Sequence, residues 1–169
     1  EQILRPGNQI YEESPQFASL QQHTLRKVAT RWISEVYLKD RAKYTNLVDY
    51  YGKNSYPIEK IRSERQQYYA RWPYRNFVLR PGSVTVAEVE RGSYTMSFVF
   101  DWDVSNGRQK RSGFSKVALR AHWNGNVFII DAVDEDVQRR SSTNKELADQ
   151  KQAAQILGTF LGIVQSMQR

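Results

Sequence analysis

A chain of 169 residues that is 40% hydrophobic is long enough to bury one sizeable core, and its net charge of +7 points toward an anionic partner such as nucleic acid, an acidic membrane surface or an anionic envelope polymer. With no cysteine it has no disulfide framework, thiolate nucleophile or thiolate metal site. No apolar run reaches the roughly 18 residues that a spanning helix needs, and a start at Glu1 rather than Met suggests a trimmed or mature form.

The first dozen residues, with Pro6-Gly7 and no period, read as an arm over residues 1–13. Ser14 before Pro15 is a helix cap with proline at the first helical position. The helix extends to about Lys39, with Leu25, Val28, Trp32 and Val36 on one buried face and Phe17 and Leu20 extending it. A second, shorter helical piece is expected around Arg41 to Leu47. It leads into VDYYGKNSYP, a tight hairpin signalled by Gly52 and Asn54-Ser55 and ended by Pro57. The third helix, Ile58 to Trp72, carries Ile61, Tyr68, Tyr69 and Trp72, and Pro73 stops it because the residue before proline avoids helical geometry.

Four strand-like segments then follow in a row, punctuated by Pro-Gly, Arg-Gly, Asn-Gly and Asn-Gly-Asn. Along SYTMSFVFDWDV, Tyr94, Met96, Phe98, Phe100, Trp102 and Val104 share one face, and Thr95, Ser97, Val99, Asp101 and Asp103 the other. In the next two strands both faces carry apolar residues, Phe114 and Ala118 against Val117 and Leu119, then Val127 and Ile129 against Phe128 and Ile130. Such a sheet needs two covers. One is the N-terminal helices; the other is a partner subunit or a C-terminal helix over residues 138–169, apolar from Ala153 to Met167. Uninterrupted strands bracketed by helices indicate an α+β fold.

The arginines and lysines are dispersed among acids, which favours a solvated basic surface over nucleic-acid binding. His23 and His122 lack any metal-ligand spacing, and no phosphate loop or nucleophile elbow occurs, so neither a metal nor a cofactor is expected.

The order helix, helix, hairpin, helix, meander is similar to that of the cone-shaped nuclear transport factor 2-like superfamily, which includes ketosteroid isomerase and scytalone dehydratase. The segments VDYYGK at Val48, YARWPYR at Tyr69, LRPGSVTV at Leu79, FDWDV at Phe100 and KRSG at Lys110 resemble a bacterial, exported or envelope-associated branch of it. The resemblance covers Trp32 to Val137. It implies N-terminal helices packed in a strongly curved antiparallel sheet, a cone spanning residues 14–137 with an added C-terminal helix, and a bacterial periplasmic or exported location.

Enzymes that this fold resembles work inside the cone with a carboxylate or histidine base and a tyrosine or aspartate donor. The resemblance therefore singles out Asp101, Asp49, Tyr50 and Tyr51 as candidate catalytic groups. Tyr51, Trp72, Arg75, Phe100, Trp102 and Asp103 are the candidates for touching a ligand or partner, while Trp72 before Pro73 also reads as a plug of the cone. The leading expectation is a non-catalytic binding or assembly module that forms a homodimer and recognises a protein or anionic envelope partner. Alternatives are a small-molecule pocket or isomerase-like enzyme, and a periplasmic domain of a secretion machine. A cone filled by aromatics would leave a substrate no room.

Overall fold

The structure, a computed structural model, describes residues 15–140, with side chains from residue 21 on. The expected arm, the Ser14 cap, the side chains of Phe17 and Leu20 and the C-terminal helix beyond residue 140 lie outside the described residues. Helix α1 (Pro15–Trp32) continues into a π-helical turn, Ile33–Tyr37, where the Leu38 N–H donates five residues back to the Ile33 carbonyl at 2.9 Å. Its buried stripe is Ala29, Ile33 and Tyr37 with Leu25 and Trp32 packed beside them. Val28, expected in that stripe, is 48% exposed. The buried face, Ala29, Ile33 and Tyr37, is thus one residue on from the expected Val28, Trp32 and Val36. Past the helix, Asp40 takes a left-handed φ of +55° and the Arg41 N–H donates to the Val36 carbonyl at 2.9 Å, ending the helix as a C-terminal glycine usually does.

The expected second helix at Arg41 to Leu47 does not form. The chain enters strand β1 (Lys43–Tyr50), which pairs on one side with β2 (Lys53–Pro57) and on the other with the last strand. Two rows of interstrand hydrogen bonds outweigh a weak local helical period. Tyr50 opposes Lys53, so Tyr51 and Gly52, at φ of +50° and +76°, form the two-residue turn of the hairpin. Helix α2 (Ile58–Arg71) follows, burying Ile61 and stopping before Trp72.

Five strands come next rather than four, the first two, β3 (Tyr74–Leu79) and β4 (Thr85–Glu90), lying on either side of the Pro81-Gly82 turn. These lie end to end along one edge of β5 (Ser93–Ser105). β6 (Lys110–Trp123) and β7 (Phe128–Arg140) complete a curled sheet in the order β2-β1-β7-β6-β5-β3, with β4 also on β5. β7 runs past Val137, the expected end of the cone. The sheet is mixed rather than antiparallel throughout, since β1 and β7 are parallel. Asn106 and Asn124 close the last two hairpins, each side-chain carbonyl accepting two backbone N–H groups at 2.8–3.0 Å.

The strand alternation holds. Met96, Phe98, Phe100, Trp102 and Val104 are buried, while Thr95, Ser97 and Asp103 are exposed. Val117, Leu119 and Ala121 of β6 and Phe128, Ile130 and Val133 of β7 continue the buried face, each large side chain removed from water stabilising by about 1.5–3 kcal/mol. Phe114 and Ile129, on the outer face, are half-buried, and Ala118 is exposed. Among the described residues no helix is long and apolar enough to cross a membrane.

Candidate functional site

The inner face of the sheet does not close completely against the helices. Between β5–β7, α2 and the β1–β2 turn lies a cavity of about 390 Å³, within the size range of small-ligand sites. Its walls are aromatic: Tyr37, Tyr50, Tyr51, Tyr68, Tyr69, Trp72, Phe77, Phe100 and Trp102. Trp72 is fixed where α2 meets β3. It is 4% exposed, its carbonyl accepts a 2.7 Å hydrogen bond from Arg75, and the guanidinium of Arg111 lies 5.3 Å from its ring centroid. It plugs one side of the cone without filling it.

Most polar groups at the cavity wall are held by the protein. Arg65 is ion-paired to Asp40 at 3.1 Å and donates to the Tyr44 hydroxyl at 2.9 Å. The Tyr56 hydroxyl donates to Glu64, and the Tyr51 hydroxyl donates to Glu135 at 2.5 Å. Loss of hydration, followed by the negative charge of Glu135, holds the Tyr51 phenol well above its ordinary value, and burial pushes Tyr50 up to about 12. These tyrosines are thus neutral hydrogen-bonding groups at pH 7 rather than bases. Tyr51 reaches Glu135 from a left-handed backbone position that disfavours a bulky residue by about 1–2 kcal/mol.

Three buried side-chain atoms among the described residues are not satisfied, one of them the Nε of the otherwise paired Arg65. The indole N–H of Trp102 and the hydroxyl of Ser115 have no hydrogen-bond partner among the described residues, although Trp102 is 8% exposed and Ser115 fully buried. Leaving such a group unpaired costs about 1–3 kcal/mol. Strand register explains their proximity. Trp102 lies opposite Gly113, and Phe100 opposite Ser115, on the same face of adjacent strands. Gly113 is the seat of the indole. A β-carbon there would come within 2.5 Å of the ring and would collide with the Gln138 carbonyl.

The structure gathers Tyr50, Tyr51, Trp72, Phe100 and Trp102 around the cavity and leaves the remaining candidates outside. Asp101, considered as a base inside the cone, stands on the opposite face. It is gripped by both Arg80 nitrogens at 2.9 and 3.1 Å and by Arg140 at 3.2 Å, and the Arg80 hydrogen bonds lower its pKa below the usual aspartate value. Asp103 is exposed on that same face. Asp49 accepts the Ser55 backbone N–H at 3.1 Å and borders a shallow hollow on the outer face. Arg75 braces the α2–β3 corner, with its guanidinium 4.0 Å from the Tyr69 ring centroid.

Sequence reasoning passed over Arg65, Arg111, Ser115, Glu135 and Arg139, which also line the cavity. A signal existed for two of them. Ser115 precedes Val117, Leu119 and Ala121 in the apolar phase of β6, and Glu135 sits between Val133 and Val137 in that of β7; a polar residue in the core-facing phase marks a place where the core is not sealed.

No family model matches the chain, and no curated protein matches it. Among solved structures it is similar to an uncharacterised protein with a cystatin-like fold from Caulobacter vibrioides, at 10% identity and a TM-score of 0.49, over 79% of this chain and 99% of that one.

Proposed function

We propose that the protein is a non-catalytic binding module whose cone takes up a small aromatic molecule. The observation that carries this reading is an open, aromatic-walled cavity into whose wall two buried polar side chains are built without partners. Aromatic faces offer stacking surface, and the unpaired indole N–H and hydroxyl offer directional hydrogen bonds that repay their desolvation only when a ligand arrives. A catalytic role has less support, because the cavity carboxylate Glu135 is already engaged by Tyr51 and the tyrosines are held neutral.

Native mass spectrometry against a set of mono- to tricyclic aromatic compounds tests the reading. One-to-one adducts are expected, and Val137→Trp, which places a large ring on a half-exposed residue of the cavity wall, should abolish them. An absence of adducts with the parent protein, or adducts unchanged in the variant, refutes it. The same spectra report self-association. That second reading is favoured by the outer sheet face, where Thr85, Ala87, Thr95, Ser97 and Ala118 floor a shallow hollow with exposed small side chains able to admit a second copy.

A further inference from the structure

We infer that the ligand is a planar aromatic monocarboxylate, with its carboxylate received at the end of the cavity where Arg111 and Arg139 flank Trp102. This rests on the ligand-binding reading above and gives the ligand a charge and an orientation. Four residues converge by strand register. Gly113 lies opposite Trp102 on one side and Arg139 on the other, while Arg111 and Ser115 each stand two positions from Gly113 on the same face of β6. The indole N–H can only donate. A ligand group that satisfies it must therefore accept, and the two arginines that line the same cavity favour an acceptor that is charged.

The charges at this end of the wall favour an anion. Three arginines and two glutamates line the cavity, and each glutamate already accepts a tyrosine hydroxyl. Arg65 is neutralised by Asp40, whereas among the described residues neither Arg111 nor Arg139 forms an ion pair. Arg111 rests over Trp72 at 5.3 Å, so its fork is already ordered before a ligand binds. A carboxylate matches the planar arginine fork with two parallel hydrogen bonds. The aromatic walls formed by Tyr68, Tyr69 and Phe100 would then sandwich the ring to which it is attached.

Isothermal titration with 2-naphthoate, 2-naphthamide and 2-naphthyl phosphate on the whole chain distinguishes the possibilities. Naphthoate should bind one to one and at least about ten-fold more tightly than the isosteric amide, the gap expected of one charge-assisted hydrogen bond. Arg139→Gln, at an exposed residue, should close most of that gap while leaving the amide's affinity and the melting temperature unchanged; Arg111→Gln should do the same for affinity. Equal affinities for acid and amide overturn the inference and leave the aromatic-binding reading standing. A preference that survives both arginine variants overturns the assignment to this end of the cavity, and tighter binding of the phosphate overturns the choice of a monoanion. Failure of all three compounds to bind removes both this inference and the reading beneath it.

Discussion

Replacing Gly113 by alanine tests how the indole of Trp102 is held at the cavity wall. A β-carbon at this position would approach the ring at 2.5 and 2.9 Å and would also meet the carbonyl of Gln138, a backbone atom of the neighbouring strand. The ring can tilt away, but the carbonyl belongs to a paired ladder and yields less readily. Overpacking of this kind costs about 1–3 kcal/mol, and the gain from stiffening the unfolded chain offsets only about 0.4–1 kcal/mol of it. The expected net loss is about 1.3 kcal/mol. For a chain of 169 residues that corresponds to a fall in Tm of roughly 4 °C. Urea denaturation followed by fluorescence should show a lower midpoint with an unchanged slope. Pairing the change with Trp102→Leu in a double-mutant cycle should give a coupling of about 1 kcal/mol, because the smaller side chain removes one of the two collisions. A Gly113→Ala protein within about 0.5 kcal/mol of the parent would refute the seating of the indole on Gly113 and, with it, the placement of its N–H.

Ser115→Ala should stabilise the ligand-free protein by about 1 kcal/mol in denaturant titration, since it deletes a buried hydroxyl without a partner, while weakening naphthoate binding; destabilisation would mean that the hydroxyl is already satisfied. Tyr50 has a folded-state pKa raised to about 12, so its contribution to stability is intact below pH 10 and lost as the pH rises toward 12. Thermal melts across that range should fall, and less steeply in Tyr50→Phe. Asp101 behaves oppositely. Its pKa is depressed, so its contribution is present above the usual value of 3.8 and disappears as the pH falls through the lower folded value. Asp101→Asn should therefore melt earlier than the parent at neutral pH, converge with it in acid, and bind naphthoate unchanged; a loss of binding would place that carboxylate at the cavity after all.

The legible parts of this fold are those written in local periodicity. Alternation from Tyr94 to Val104 gave the correct inner face, because a strand turns its side chains by half a rotation per residue regardless of what it packs against. Pro57 and Pro73 marked the ends of the third helix for an equally local reason, the geometry that proline imposes on its neighbours. β1 was not legible. Its residues carry a weak helical period, and only pairing with β2 and β7, 83 to 86 residues away for β7, makes it a strand. The buried stripe of α1 was offset by one residue for a related reason, since what the helix packs against selects between adjacent apolar positions such as Val28 and Ala29.

The amino-acid sequence by itself determined an α+β chain with an aromatic inner sheet face, tight turns at its glycines, and no thiol chemistry. Only the tertiary structure decided which side chains meet. Tyr51 and Glu135 are 84 residues apart and touch. Asp101, which neighbours the aromatic face along its strand, points away from it into an arginine clasp. The difference is physical. A strand's faces follow from its own backbone, whereas a cavity exists only where elements from distant parts of the chain fail to close on one another, and its unpaired indole and hydroxyl become visible only once every neighbour is in place.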